Sequence, residues 1–168
     1  MHGGGRRFDP GILHLPQRVW TTREPPLVFK RILATTDGTE ASLRGVEVAA
    51  QMVARDQCEM LLLTAVSVPQ QVAQAAATDQ RAIENHLERM AQEALAPAVA
   101  VLRRVRVGAE IKAVMGPAPE VILSELESCA ADLVVMGRRS RYEPKDLILG
   151  SVSYRVARHV RVPILLVP

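Results

Sequence analysis

The residues best placed to hold a ligand lie in the C-terminal third. Gly137 closes an apolar run, and Gly150-Ser151 opens a helical stretch thirteen residues later. A glycine at a strand end lets the backbone approach a ligand closely, and a helix N-terminus offers unpaired N–H groups to an anion. Each helix-end contact is worth roughly 0.3–1 kcal/mol, so several must converge to hold a phosphorylated ligand. A turn glycine and a plain helix cap would leave the same signature, so both alternatives stand at this point. Arg138, Arg139, Arg141 and Lys145 crowd the intervening loop. Guanidinium groups bind phosphate bidentately, and a merely solvated loop is the competing interpretation. A further candidate is Asp37 within ATTDGTEAS, residues 34–42. Its carboxylate can accept hydrogen bonds from a ligand, although an aspartate before glycine more commonly organises a turn or caps a helix.

Several chemistries are missing. The chain has no G-x4-G-K-[ST] loop, no G-x-G-x-x-G after its first strand and no G-x-S-x-G elbow. His2, His14, His86 and His159 form no metal-ligating spacing. Cys58 and Cys129 are too few for a disulfide framework and are expected to pack as small apolar groups. The chain has 168 residues and a formal charge of +3, too mild a basic excess to argue for nucleic acid without clustered stacking aromatics. Its apolar runs fall short of the roughly 20 residues needed to span a bilayer, and residues 1–20 lack a signal-peptide pattern. The expected setting is the reducing cytoplasm.

The elements that must position these groups follow from periodicity. Residues 1–26 are rich in Gly, Pro and Arg and read as a loose N-terminal extension, in which ILHLPQRVW could dock on a partner surface. Residues 27–168 form one domain. Strands are expected over 28–35, 59–66, 105–114, 132–136 and 162–167, and helices over 39–55, 75–96, 119–128 and 151–159. Pro97 should kink the long second helix or open a new one. The third strand is the most polar and should lie at an edge. Leu43, Val46, Ala50 and Val53 should face inward from the first helix, Ile83, Leu87, Met90 and Ala94 from the second, and Val152, Val156 and Val160 from the last, with Ser151 as its N-cap. Such alternation makes an open parallel α/β sheet with helices on both faces, and ligands bind beyond the carboxyl ends of its strands.

Taken together, ILATTDGTEAS, LLLTAVSV, VMGPAPEVIL and the C-terminal ADLVVMGRRSRYEPKDLILGSVSYRVARHVRVPILLV closely resemble the universal stress protein family. The resemblance covers about residues 29–167. It implies a five-stranded sheet of order 3-2-1-4-5, and a symmetric homodimer with the two last strands adjacent. The family's ATP-binding branch carries G-x2-G-x9-G-[ST]. Here Gly137, Gly150 and Ser151 keep that spacing, while Ser140 replaces the second glycine. If that position needs a left-handed backbone, serine costs roughly 1–2 kcal/mol, a tens-fold loss of affinity rather than abolition. The resemblance implies ATP, with Mg2+ or Mn2+ on its phosphates. Asp37 and the Val66 backbone would serve the adenosine end, and Gly137, Ser140, Gly150, Ser151 and Val152 the phosphates. Thr36, Met136, Arg138 and Ser153 complete the candidate set. The implied function is a stress-response or regulatory module with at most slow hydrolysis, since no residue stands out as a general base. The alternative is an interaction protein on the same fold that works through a regulatory protein partner without nucleotide.

Overall fold

In the computed structural model, described here over residues 29–67, 80–138 and 151–168, the most apolar stretches form the middle of one sheet. Its strands are β1 (Arg31–Thr35), β2 (Glu59–Val66), β3 (Glu110–Met115), β4 (Leu133–Gly137) and β5 (Ile164–Val167). All four pairings are parallel and the order is β3-β2-β1-β4-β5, as expected. Ile32, Leu33, Ala34, Leu62, Val134 and Val135 are wholly buried, because strands covered on both faces have no side for water.

The helices divide between the two faces. Helices α1 (Glu40–Asp56) and α2 (Gln80–Val105) cover a core containing Ile32, Val46, Leu62, Leu102 and Val135. Helices α3 (Ala118–Cys129) and α4 (Ser151–His159) cover the other, with Leu33, Leu63, Ile122, Val134 and Val156. Cys58 and Cys129 are free and packed against these two clusters, one on each face. Burial pushes the Cys58 thiol up, away from the reactive thiolate.

Several details differ from expectation, each for a local reason. Helix α2 runs unbroken through Pro97 to Val105, so the proline neither ends it nor starts another. The buried Ala98, Val101 and Leu102 hold the segment beyond it against the core. Residues 105–109 therefore do not belong to the third strand. Arg106 adopts a left-handed backbone, and the Val107 N–H returns to the Leu102 carbonyl at 3.2 Å, a helix-ending turn. The last strand begins at Ile164 rather than 162 because Pro163 has no N–H to donate; its carbonyl still accepts from Val134 at 3.0 Å. In α1 the buried residues are Ser42, Gly45, Val46, Ala49 and Ala50, which shifts the inward stripe toward the small side chains. Leu43 and Val53 are only partly covered, as is Val152 in α4, whereas Val156 is fully buried. The expected extension over residues 1–26, and its boundary with the domain, lie outside the described residues.

Candidate functional site

Strand β1 delivers Thr36, Asp37 and Gly38 to the carboxyl edge of the sheet. The Thr36 N–H still donates to the Leu63 carbonyl at 2.9 Å, so the chain leaves the ladder only after this residue. A network of hydroxyls then folds the exit onto α1. Thr39 is the N-cap, its Oγ1 accepting from the Ser42 N–H at 3.4 Å. Ser42 Oγ donates to the Thr39 carbonyl at 2.8 Å and lies 3.1 Å from Thr36 Oγ1. Since a hydroxyl has one proton, Thr36 is the donor in that pair, and its oxygen accepts the Gly38 N–H at 3.1 Å. Asp37 Oδ1 accepts from Thr39 twice, from its N–H at 3.1 Å and its hydroxyl at 2.5 Å. Asp37 thus organises the turn, the commoner of the two roles foreseen for it.

Gly137 is explained by packing. A methyl group there would stand 2.1 Å from the Ala41 carbonyl oxygen and 2.6 Å from Ser42 Cα. One on Gly45 would meet the Gly137 nitrogen at 2.9 Å. The first turns of α1 therefore lie directly on the end of β4, and both glycines are needed for that approach. Sequence reasoning missed Gly45. A glycine inside a helical pattern costs about 1 kcal/mol relative to alanine, and that cost was the available signal.

A cleft of about 270 Å³ opens where these pieces meet. Thr36, Asp37, Thr39 and Ser42 line it from the β1 exit, and Ser151 to Ser153 line it from the first turn of α4. Ala65, Ala118, Ile122 and Met136 supply an apolar floor. The cleft straddles β1 and β4, where the strand order reverses. Of the candidates drawn from sequence, Thr36, Asp37, Met136, Gly137, Ser151, Val152 and Ser153 line it. Val66 and Arg138 sit beside it and are held by the backbone. The Val66 carbonyl accepts from the Gly116 N–H at 2.9 Å, and the Arg138 N–H donates to the Val167 carbonyl at 2.6 Å. Ser140 and Gly150, like Arg139, Arg141 and Lys145, lie outside the described residues. Thr39, Ser42, Ala118 and Ile122 were not foreseen as lining residues. The first two form a T-x-x-S cap, which sequence can show, but α3 reaches the cleft by tertiary packing alone.

The hydroxyls, the α4 N-terminus and the apolar floor suit a ligand with an apolar ring and an anionic end. Among the described residues no group of three His, Cys, Asp or Glu side chains could hold a metal ion. No helix among the described residues is long and apolar enough to cross a membrane.

These features define a doubly wound α/β protein with a cleft at its topological switch point. Residues 29–168 match the Universal stress protein family. The chain belongs to that family. It is 27% identical over 140 residues to Universal stress protein MJ0531 of Methanocaldococcus jannaschii, covering 83% of this chain and 82% of that protein. A solved universal stress protein in complex with cAMP superposes with a TM-score of 0.67 at 23% identity, covering 84% of this chain and 98% of that one. The Archaeoglobus fulgidus universal stress protein in complex with dAMP gives a TM-score of 0.56 at 20% identity, covering 84% of this chain and 100% of that one. At these identities the structures establish the shared fold.

Proposed function

We propose that the cleft binds an adenine nucleotide, ATP with Mg2+ or Mn2+ on its phosphates, and that the protein is a cytoplasmic stress-response regulator with at most slow hydrolysis. The observation that carries this reading is the apposition of a hydroxyl-rich turn and a helix N-terminus over an apolar floor at the β1/β4 switch point. That related folds are found with cAMP and dAMP supports it. In this proposal the base rests near Met136 and Ala65, with Thr36, Asp37 and the Val66 backbone toward the adenosine. Gly137, Arg138, Ser140, Gly150, Ser151, Val152 and Ser153 serve the phosphates. The exposed Leu165 on edge strand β5 supports assembly into a symmetric homodimer through that strand. Light scattering should then give a dimer that Leu165→Lys converts to monomer.

A second reading, an interaction protein without nucleotide, has its own observation. Asp37 serves the turn and Gly137 serves helix packing, so both have structural uses that need no ligand. Calorimetric titration with ATP, ADP and AMP separates the two. Ser140→Gly should tighten binding about tenfold or more if serine strains the loop. Failure of both the natural protein and Ser140→Gly to bind at millimolar nucleotide would leave the interaction reading.

A further inference from the structure

Strand β3 leaves one rim of the sheet unfinished. Its residues alternate between the two layers. Val114 packs toward α3, and Lys112 Nζ donates to Glu125 of that helix at 2.8 Å. Ile111, Ala113 and Met115 point to the opposite layer, in register with Leu62, Thr64 and Val66 of β2. That row of β2 is buried beneath its helices, but the cover stops there: Ile111 is 45% exposed and Met115 67%. Because β3 is the outermost strand, its outward N–H and C=O groups adjoin this apolar row. Exposed backbone donors and acceptors beside uncovered apolar side chains form a template for one more extended segment.

We propose that residues 12–20 of this same chain, ILHLPQRVW, dock along the β3 rim, antiparallel to β3, with Trp20 beside Ile111. In that register Trp20 and Pro16 fall opposite Ile111 and Met115 on the uncovered row, with Arg18 between them opposite the small Ala113, while Val19 turns to the α3 side. The chain that carries this segment enters the fold at Phe29, just before β1. The outer flank of β3 lies three strand spacings from β1, about 14 Å. The intervening eight residues, 21–28, reach about 26 Å when extended. The tether is therefore long enough, and a short tether gives an effective concentration in the millimolar range, which favours the attached segment over a second copy. An antiparallel course puts Trp20 at the end of β3 nearest the entry to β1, the shorter path. Pro16 cannot donate to a ladder, a defect tolerated on an outermost strand. This docking is independent of what the cleft binds.

Trp20 is the chain's single tryptophan, so its fluorescence in the full-length protein reports the docking directly. The native emission should be blue-shifted and shielded from iodide relative to the urea-unfolded chain. Ile111→Lys should move both readings to the unfolded values with the far-ultraviolet dichroism unchanged. Met115→Lys provides a second exposed position should the first variant fold poorly. Leu165→Lys, on the opposite edge, should leave Trp20 unmoved, and hydrogen exchange should show Ile111–Met115 amides protected in the full chain and released by Ile111→Lys. The proposal fails if native Trp20 already emits as in urea, or if its blue shift survives both β3 substitutions. It fails equally if the shift appears only as protein concentration rises, which would point to a second copy on the rim.

Discussion

Replacing Gly137 by alanine puts one methyl group where α1 meets the end of β4. That methyl would lie 2.1 Å from the Ala41 carbonyl oxygen, and a carbon–oxygen contact ordinarily closes at about 3.3 Å. The helix or the strand must therefore retreat by about 1.2 Å, and the three nearest atoms are all backbone, which no rotamer change can move. Overpacking of this kind costs about 1–3 kcal/mol, and the rigid surroundings place it at the upper end. Alanine returns about 0.4–1 kcal/mol by restricting the unfolded chain, leaving a net loss of about 2–3 kcal/mol. For a domain of this size that is a fall in Tm of about 6–9 °C. Gly45→Ala is the control. Its methyl would meet the Gly137 nitrogen at 2.9 Å and the Met136 carbonyl carbon at 3.0 Å, a far smaller intrusion. It also gains about 1 kcal/mol of helix propensity, which offsets part of that backbone clash, so it should cost clearly less than Gly137→Ala. Urea titrations of ligand-free protein, read by far-ultraviolet dichroism, give both values. Should Gly137→Ala unfold within about 0.5 kcal/mol of the natural protein, or cost less than Gly45→Ala, the packing account of Gly137 is wrong.

Other outcomes follow from the same contacts. Thr36→Val removes the hydroxyl that accepts the Gly38 N–H and donates to Ser42, and urea unfolding should show a loss of about 1–3 kcal/mol. Ala130→Gly should stabilise by about 0.5–1 kcal/mol, because Ala130 ends α3 in a left-handed conformation at φ 51° that glycine adopts without strain; a lower Tm would contradict this. The Arg55 guanidinium, 2.7 Å from Asp56, holds that carboxyl below its ordinary range. Its contribution to stability is therefore present above the unfolded carboxylate's pKa and fades as pH falls below about 4 through the lowered folded value. Arg55→Ala should raise the Asp56 midpoint in a carboxyl NMR titration, and an unmoved midpoint would remove Arg55 as the cause.

The layer order was legible because β2 and β4 are apolar throughout and the segments between them keep a helical period. Element ends were harder to place. Pro97 looks like a breaker in isolation, yet the buried Ala98, Val101 and Leu102 carry the helix past it, an instance of tertiary packing overriding a local preference. Val105 has the β-branched character of a strand residue, but it closes α2 because Arg106 turns left-handed just after it. In the cleft, Thr36, Asp37, Met136, Gly137 and the start of α4 could be named from spacing and family likeness, since each sits at a strand tip or helix end. Ala118 and Ile122 could not, because α3 follows the edge strand β3 and only the folded sheet shows that it lies over β2 and against α4. The purpose of Gly137 was equally hidden, since the partner that demands it, Ala41, is 96 residues earlier in the chain.

Proline 97 has no hydrogen to give, so the Glu93 carbonyl, four residues earlier, loses its usual donor within α2. The turn at Gly38 rests there: a methyl on Gly38 would lie 3.0 Å from Ala94 Cα and 3.3 Å from the Glu93 oxygen. The tip of β1 is thus seated on the one joint of α2 where the helical ladder skips a rung. Beyond the joint Ala98, Val101 and Leu102 are anchored in the core, whereas residues 81–93 have no fully buried member. The helix is one rod built of a fixed half and a loosely held half, and their seam lies under the turn that borders the cleft. Opening of the loose half would withdraw part of the support beneath Gly38 without disturbing the sheet, which makes the rim of the cleft the first part of this face to feel a local unfolding event.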